Sequence, residues 1–99
     1  MTLNTNGIAS DVTGKRILIT GGASGIGAAS ALLLASRGAK VVIGDLAEAL
    51  GEAVAQQGQA AGNSIVFKKV DVSSGDEVRA LFAFAMEKLG GLDVVINNA

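Results

Sequence analysis

Arg16–Thr20 (Arg-Ile-Leu-Ile-Thr) is a continuous β-branched and aliphatic run, and from Gly25 to Ser36 the chain is apolar nearly all round through Ile26, Ala28, Ala29, Leu32, Leu33 and Leu34. Between the two stand only Gly21, Gly22, Ala23 and Ser24. A strand that becomes a helix within so short a turn calls for backbone that a side chain would obstruct, and Gly21 can take the positive φ such a turn needs. The segment therefore reads as a tight strand-to-helix unit. A helix so apolar also packs its backbone close on the strands.

The same rhythm continues along the chain. Apolar runs at Lys40–Gly44 (β2), Ser64–Lys69 (β3) and Asp93–Asn97 (β4) follow the first (β1), and Ala-rich segments at about 25–36, 46–61 and 74–89 lie between them. Strands alternating with helices make βαβ units on a parallel sheet. β1, β2 and β4 are continuously apolar, as expected of strands covered on both faces. The second helix places Leu46, Leu50, Ala53, Val54 and Gln57 at helical spacing. The third opens at Ser74 with Glu77 three residues on, which fits a capping box. It then repeats Val78, Leu81, Phe82, Ala85 and Leu89. The expected fold class is α/β, a three-layer, doubly wound parallel sheet of Rossmann type, and right-handed crossovers set its strand order at 3-2-1-4. That order makes β4 an edge strand of Val94, Val95 and Ile96, a pairing hazard unless a further strand covers it.

A chain of 99 residues fits one domain. We read residues 1–12 as a flexible leader and 13–99 as the folded part. The segment Met1–Asp11 is polar and carries no basic region followed by an apolar stretch, so it does not read as a secretory signal, and a cytoplasmic location is expected. The sequence has no Cys and no His, which excludes zinc sites of those ligands, thiol nucleophiles and imidazole bases within these residues. No metal is expected. Its formal net charge is −1, without the basic patch that nucleic acid requires. No apolar stretch reaches the ~18 residues of a membrane span. A small-molecule partner is the expectation that remains.

The glycine-rich turn is where such a partner is expected. At the start of a helix the unpaired N–H groups and the positive dipole end face whatever sits in the turn, so a diphosphate can be held without a basic side chain. Gly21 makes the turn, Gly25 keeps a Cβ away from the ligand, and Gly27 lets helix and strand pack closely. A turn that merely uses glycine is the bland alternative. Asp45 argues for the first reading. It stands at the carboxyl end of β2, where a Rossmann unit places an acid for the adenosine ribose. A charge-assisted hydrogen bond there contributes ~1.5–3 kcal/mol. A 2′-phosphate would instead bring like charges to within ~4 Å, costing about 4 kcal/mol per pair at an effective dielectric of 20. Ser24 and Leu46 stand where an Arg or Lys would neutralise that phosphate, so NAD is the expected cofactor. Asp45 can also serve as a cap for the second helix, and both roles can hold at once.

With turn and acid in place, Thr20-Gly-Gly-Ala-Ser-Gly-Ile-Gly27 resembles the cofactor motif of the short-chain dehydrogenase/reductase family. Asn97-Asn98-Ala99 resembles that family's Asn-Asn-Ala-Gly motif. The resemblance covers the chain from about Thr13 onward. It implies that Ser24, Ile26 and the turn glycines hold the cofactor, that Asp71 and Val72 contact the adenine ring, and that Asn98 lies against the nicotinamide-side ribose. Asn97 is implied to tie neighbouring strands. An ordinary acidic loop competes for Asp71, and a simple turn for the asparagines. Family members use a Tyr, a Lys, a Ser and a further Asn, all beyond the Asn-Asn-Ala-Gly motif, to move hydride between the cofactor and an alcohol or carbonyl. No tyrosine occurs in this sequence, so no catalytic residue is assigned within it. Lys15, Lys40, Lys68, Lys69 and Lys88 read as surface charges. The expectation is therefore the cofactor-binding half of a longer, homo-oligomeric NAD-dependent enzyme acting on a secondary alcohol or ketone, inactive and sticky by itself. A non-catalytic dinucleotide-binding protein is the alternative. A methyltransferase also places a glycine turn and an acid this way, but the Gly-Ile-Gly spacing and the Asn-Asn-Ala ending speak against it.

Overall fold

The structure, a computed structural model, describes residues 12–98. Its elements are β1 (Arg16–Thr20), α1 (Gly25–Ser36), β2 (Lys40–Asp45), α2 (Glu48–Ala60), β3 (Ile65–Lys69), α3 (Gly75–Leu89) and β4 (Val94–Asn97). The strands form one parallel sheet in the order β3-β2-β1-β4. Ile17 pairs with Val41 and Val94, and Ile19 with Ile43 and Ile96. Of the leader expected over 1–12, residues 1–11 lie outside the described residues. Val12 is buried in the core beside β1 and α1.

Side chains alternate across a strand, and here the alternation sorts the core into two layers. Ile17, Ile19, Val41 and Ile43 pack with Ala31 and Ala35 of α1 and Val54 of α2 on one face. Leu18 and Val42 pack with Leu81 and Ala85 of α3 on the other. Two helices on one side and one on the other give the expected three layers. Burying this much aliphatic surface, at roughly 25 cal/mol per Å², is what holds the sheet and helices together.

The helices meet the sheet through smaller residues than the apolar spacing suggests. α1 buries Gly27, Ala31 and Ala35 while Leu33 stays exposed. α2 departs further from the sequence reading. Leu46 and Leu50 are exposed, as are Ala53 and Gln57, and the buried stripe is Gly51, Val54, Ala55 and Gly58. The reason is distance: a Cβ on Gly51 would overlap the Phe67 ring, and one on Gly58 would overlap the Ile65 side chain. The helix lies so close on β3 that only glycine fits at those turns. In α3, Leu81 and Ala85 are buried as expected, but Phe82 is exposed. Phe82, Val78, Val72 and Val95 line a shallow apolar cleft beside β4, whose outer edge pairs with no strand among the described residues. Among those residues no helix is long and apolar enough to cross a membrane.

Candidate functional site

Every strand of a parallel sheet ends at the same edge, so the loops after β1, β2, β3 and β4 are neighbours although they are far apart in sequence. The turn after β1 sits in the middle of that edge. Gly21 has φ +70° and its N–H donates to the Gly44 carbonyl at 2.8 Å, which ties the turn to β2. On the other side the Asn98 side-chain amide donates to the Gly21 carbonyl at 3.4 Å. Ser24, at the N-cap of α1, is extended and makes no capping bond through its side chain, and no acidic residue stands in the helix's first turn. Among the described residues, the leading N–H groups of α1 therefore lack the side-chain partners that helix starts usually recruit.

Open space faces this helix start. Gly25 has φ +57°, and a Cβ built on it meets nothing within 4 Å. Ser24, Gly25 and Ile26 are exposed, Ile26 to 77%. Gly27 is the opposite case. A Cβ there would overlap the Gly21 carbonyl oxygen and approach the Asn98 amide nitrogen to 2.7 Å, so the close packing expected at this glycine is against the turn and Asn98.

Asp45 stands at the end of β2 with both carboxylate oxygens engaged. One accepts from the Ala23 N–H of the glycine turn at 3.1 Å, the other from the Ala47 N–H at 2.9 Å. The N-cap of α2 is Ala47 rather than Asp45, so Asp45 steadies the approach to that helix from two residues upstream. Gly21, Asp45, Leu46, Val70, Asp71 and Val72 together line a cleft of about 170 Å³. Complete ligand pockets run to ~300–1,000 Å³, so this cleft has room for only part of a ligand of that size.

Asp71 is held by its own loop. The Ser73 N–H and hydroxyl donate to one Asp71 carboxylate oxygen at 2.9 and 2.6 Å, and these bonds keep its carboxyl below the ordinary range. The Glu77 carboxylate accepts from the Asp71 N–H at 2.9 Å, while the Glu77 N–H donates to Ser74 Oγ. Only half of the expected capping box is formed, because the Glu77 side chain reaches past Ser74 to Asp71. At the end of β4 the Thr20 hydroxyl donates to Asn97 at 2.7 Å, and the Asn98 N–H donates to Thr20 Oγ1. Asn97 thus joins the ends of β1 and β4.

The fold brings the singled-out residues Gly21, Ser24, Gly25, Ile26, Gly27, Asp45, Asp71, Val72 and Asn98 to one edge of the sheet. Sequence reasoning passed over the Ala23 amide, Ser73 and the Thr20 hydroxyl, and it weighed Leu46 only as a missing cation, not as a wall of the cleft. The Asp-x-Ser spacing of a turn was a signal for Ser73; the contact of Ala23 with a side chain 22 residues away left none.

The short chain dehydrogenase family model matches residues 15–99. A 2,5-dichloro-2,5-cyclohexadiene-1,4-diol dehydrogenase of Sphingobium indicum is 45% identical over 92 residues, which cover 93% of this chain and 37% of that protein. A 3beta-hydroxysteroid dehydrogenase of Mediterraneibacter gnavus is 48% identical, over 86% of this chain and 31% of its own length. Among solved structures, a hydroxysteroid dehydrogenase from Escherichia coli superposes with a TM-score of 0.89 at 35% identity, covering 95% of this chain and 40% of that one. A short chain dehydrogenase/reductase from Burkholderia phymatum in complex with NAD gives 0.83 at 35% identity, covering 86% and 30%. The chain spans little more than a third of the length of the first of these relatives. A family match over nearly all the described residues, together with these superpositions, establishes that this chain belongs to the short chain dehydrogenase family.

Proposed function

We propose that this chain is the cofactor-holding part of an NAD-dependent oxidoreductase that moves hydride between the nicotinamide ring and a secondary alcohol or its ketone. Family membership supports the oxidoreductase class. The fit of the residues supports a dinucleotide: a helix start without side-chain caps, open space over Gly25, and a carboxylate beside the turn in a cleft with room for one end of the ligand. When bound, the cofactor supplies a hydride donor or acceptor. The chain's own residues then have separate tasks. The amides from Ser24 to Gly27 receive the diphosphate, Asp45 accepts from ribose hydroxyls, Leu46, Val70 and Val72 give apolar walls for the adenine, and Asp71 faces its polar edge. Asn98 carries the nicotinamide-side sugar.

The observation that carries the choice of NAD is the Asp45 carboxylate, 3.1 Å from the turn amide of Ala23, with Leu46 beside it and no cation among the described residues that line the cleft. A 2′-phosphate placed there meets like charge at a cost of ~4 kcal/mol per pair at an effective dielectric of 20. The names of the Sphingobium protein and of a cis-4-hydroxycyclohexanecarboxylate dehydrogenase from Sinomonas cyclohexanicum each carry a ring-borne alcohol; they support a secondary alcohol as the substrate class. With no tyrosine in this sequence, a phenolic acid/base has to come from the rest of the protein. The test is a fluorescence titration of the intact protein with NADH and NADPH. Tighter binding of NADH is expected; a preference for NADPH refutes the role given to Asp45.

A further inference from the structure

We infer that Asp45 is also a positioning residue for the glycine turn, so that a single carboxylate both anchors the diphosphate-binding loop and selects the sugar. The inference rests on the cofactor reading above for its consequence, and on geometry for the anchor. Asp45 Oδ2 accepts from the Ala23 N–H and Oδ1 from the Ala47 N–H. The same side chain thereby spans the turn after β1 and the lead-in to α2. Ala23 is buried, and a buried amide left without an acceptor is costly. The rest of the turn is held through backbone or through Asn98: the Gly21 N–H by the Gly44 carbonyl, more weakly the Gly22 N–H by the same atom at 3.4 Å, and the Gly21 carbonyl by Asn98. Ala23 is the point nearest α1 at which a neighbouring strand's side chain grips the turn. Beyond it come Ser24, with no capping bond, and the open helix start.

Each Asp45 oxygen uses one lone pair on a backbone amide and keeps another for a ribose hydroxyl. Removing the charge to admit a 2′-phosphate therefore also loosens the loop that holds the diphosphate. Substitution of Asp45 should consequently weaken ligands that have no ribose at all.

The experiment uses the intact protein as wild type, Asp45→Ala and Asp45→Asn, with inorganic pyrophosphate and NADH as probes and amide hydrogen exchange at Ala23 and Gly21. In Asp45→Ala the Ala23 amide is expected to exchange roughly 10-fold faster, while Gly21, held by backbone, keeps its rate. Pyrophosphate affinity is expected to fall about 5-fold or more as the unanchored turn samples other conformations. Asp45→Asn retains one acceptor oxygen and should restore part of both, which also covers the case in which the alanine variant does not fold. Unchanged Ala23 exchange and unchanged pyrophosphate affinity, with only NADH binding lost, overturn the anchor and leave a ribose acceptor. If wild type binds pyrophosphate but not NADH, and the Ala23 pattern holds, the anchor stands and the cofactor reading falls.

Discussion

Helix α3 begins with Ser74 accepting from the Glu77 N–H and with Asp76 and Glu77 in its first turn. Helix α1 begins with Ser24 making no such bond, with no acid in its first turn, and with positive-φ glycines at its first residue, Gly25, and at the opening of the turn, Gly21. Both starts carry the same unpaired amides and the same positive dipole end. α3 caps one of those amides with Ser74 and sets Asp76 and Glu77 against the dipole. At α1 the amides face open space at the edge where the loops converge, the setting in which a helix start can receive an anion. On the proposed reading, the contrast separates a helix end that its own side chains cap from one left open for a ligand.

The sharpest way to break that comparison is Gly27→Ala. Its Cβ would overlap the Gly21 carbonyl oxygen, which is backbone and has no rotamer to yield. Overpacking of this kind costs about 1–3 kcal/mol, and the turn must shift with it. We expect a loss of at least ~100-fold in NADH affinity in the intact protein, since misplaced donors no longer converge on the ligand. Near-normal titration of the variant would mean that the turn does not hold the cofactor.

Next in size is Ser24→Asp, which gives α1 a start like that of α3. A carboxylate at the N-cap should raise the stability of the cofactor-free protein by about 0.3–1 kcal/mol. The same charge then occupies the anion's place, and NADH should bind roughly 10- to 100-fold more weakly. The two changes have opposite signs, so thermal melting and titration together decide. A variant that is more stable and binds as well as wild type would remove the distinction between the helix ends.

Ser74→Ala makes the reciprocal change and should be smaller. Losing the bond to the Glu77 N–H costs about 1 kcal/mol of stability, read as a lower melting temperature with unaltered NADH affinity. An affinity loss would show that α3's cap communicates with the site through Glu77 and Asp71.

The helix starts were largely legible in the sequence, because caps, acids and glycines are local signals. Strand limits came within a residue for the same reason, and the strand order follows from the handedness of the crossovers. The face that α2 buries was not legible. Leu46 and Leu50 outweigh glycine on any hydrophobic count, yet Gly51 and Gly58 lie inward because Phe67 and Ile65 leave no room for a Cβ. The spacing 51, 54, 55, 58 is as helical as the one chosen; what was hidden is how near the partner strand lies. The grip of Asp45 on Ala23 was hidden too, since it exists only once β1 and β2 pair.

The opposite edge of the sheet gives the smallest effect and completes the contrast between open and closed ends. There Asp93 accepts from the Arg16 guanidinium at 2.9 and 3.0 Å and from the Arg16 N–H at 2.9 Å, joining the starts of β1 and β4. Those bonds hold the Asp93 carboxyl far below the ordinary carboxylate range. A group whose folded value is depressed contributes stability above its unfolded value, ~3.9, and loses it as pH falls toward the folded one. The contribution is therefore complete at neutral pH and fades from about pH 4 downward. Asp93→Asn removes that dependence, and because the pair is exposed and screened by solvent its cost at pH 7 should be small. Acid unfolding of the intact protein, followed by circular dichroism, should be shallower below pH 4 in the variant than in wild type. Parallel curves would mean that β4 is held at its start by the sheet hydrogen bonds alone, and that the ion pair merely accompanies them.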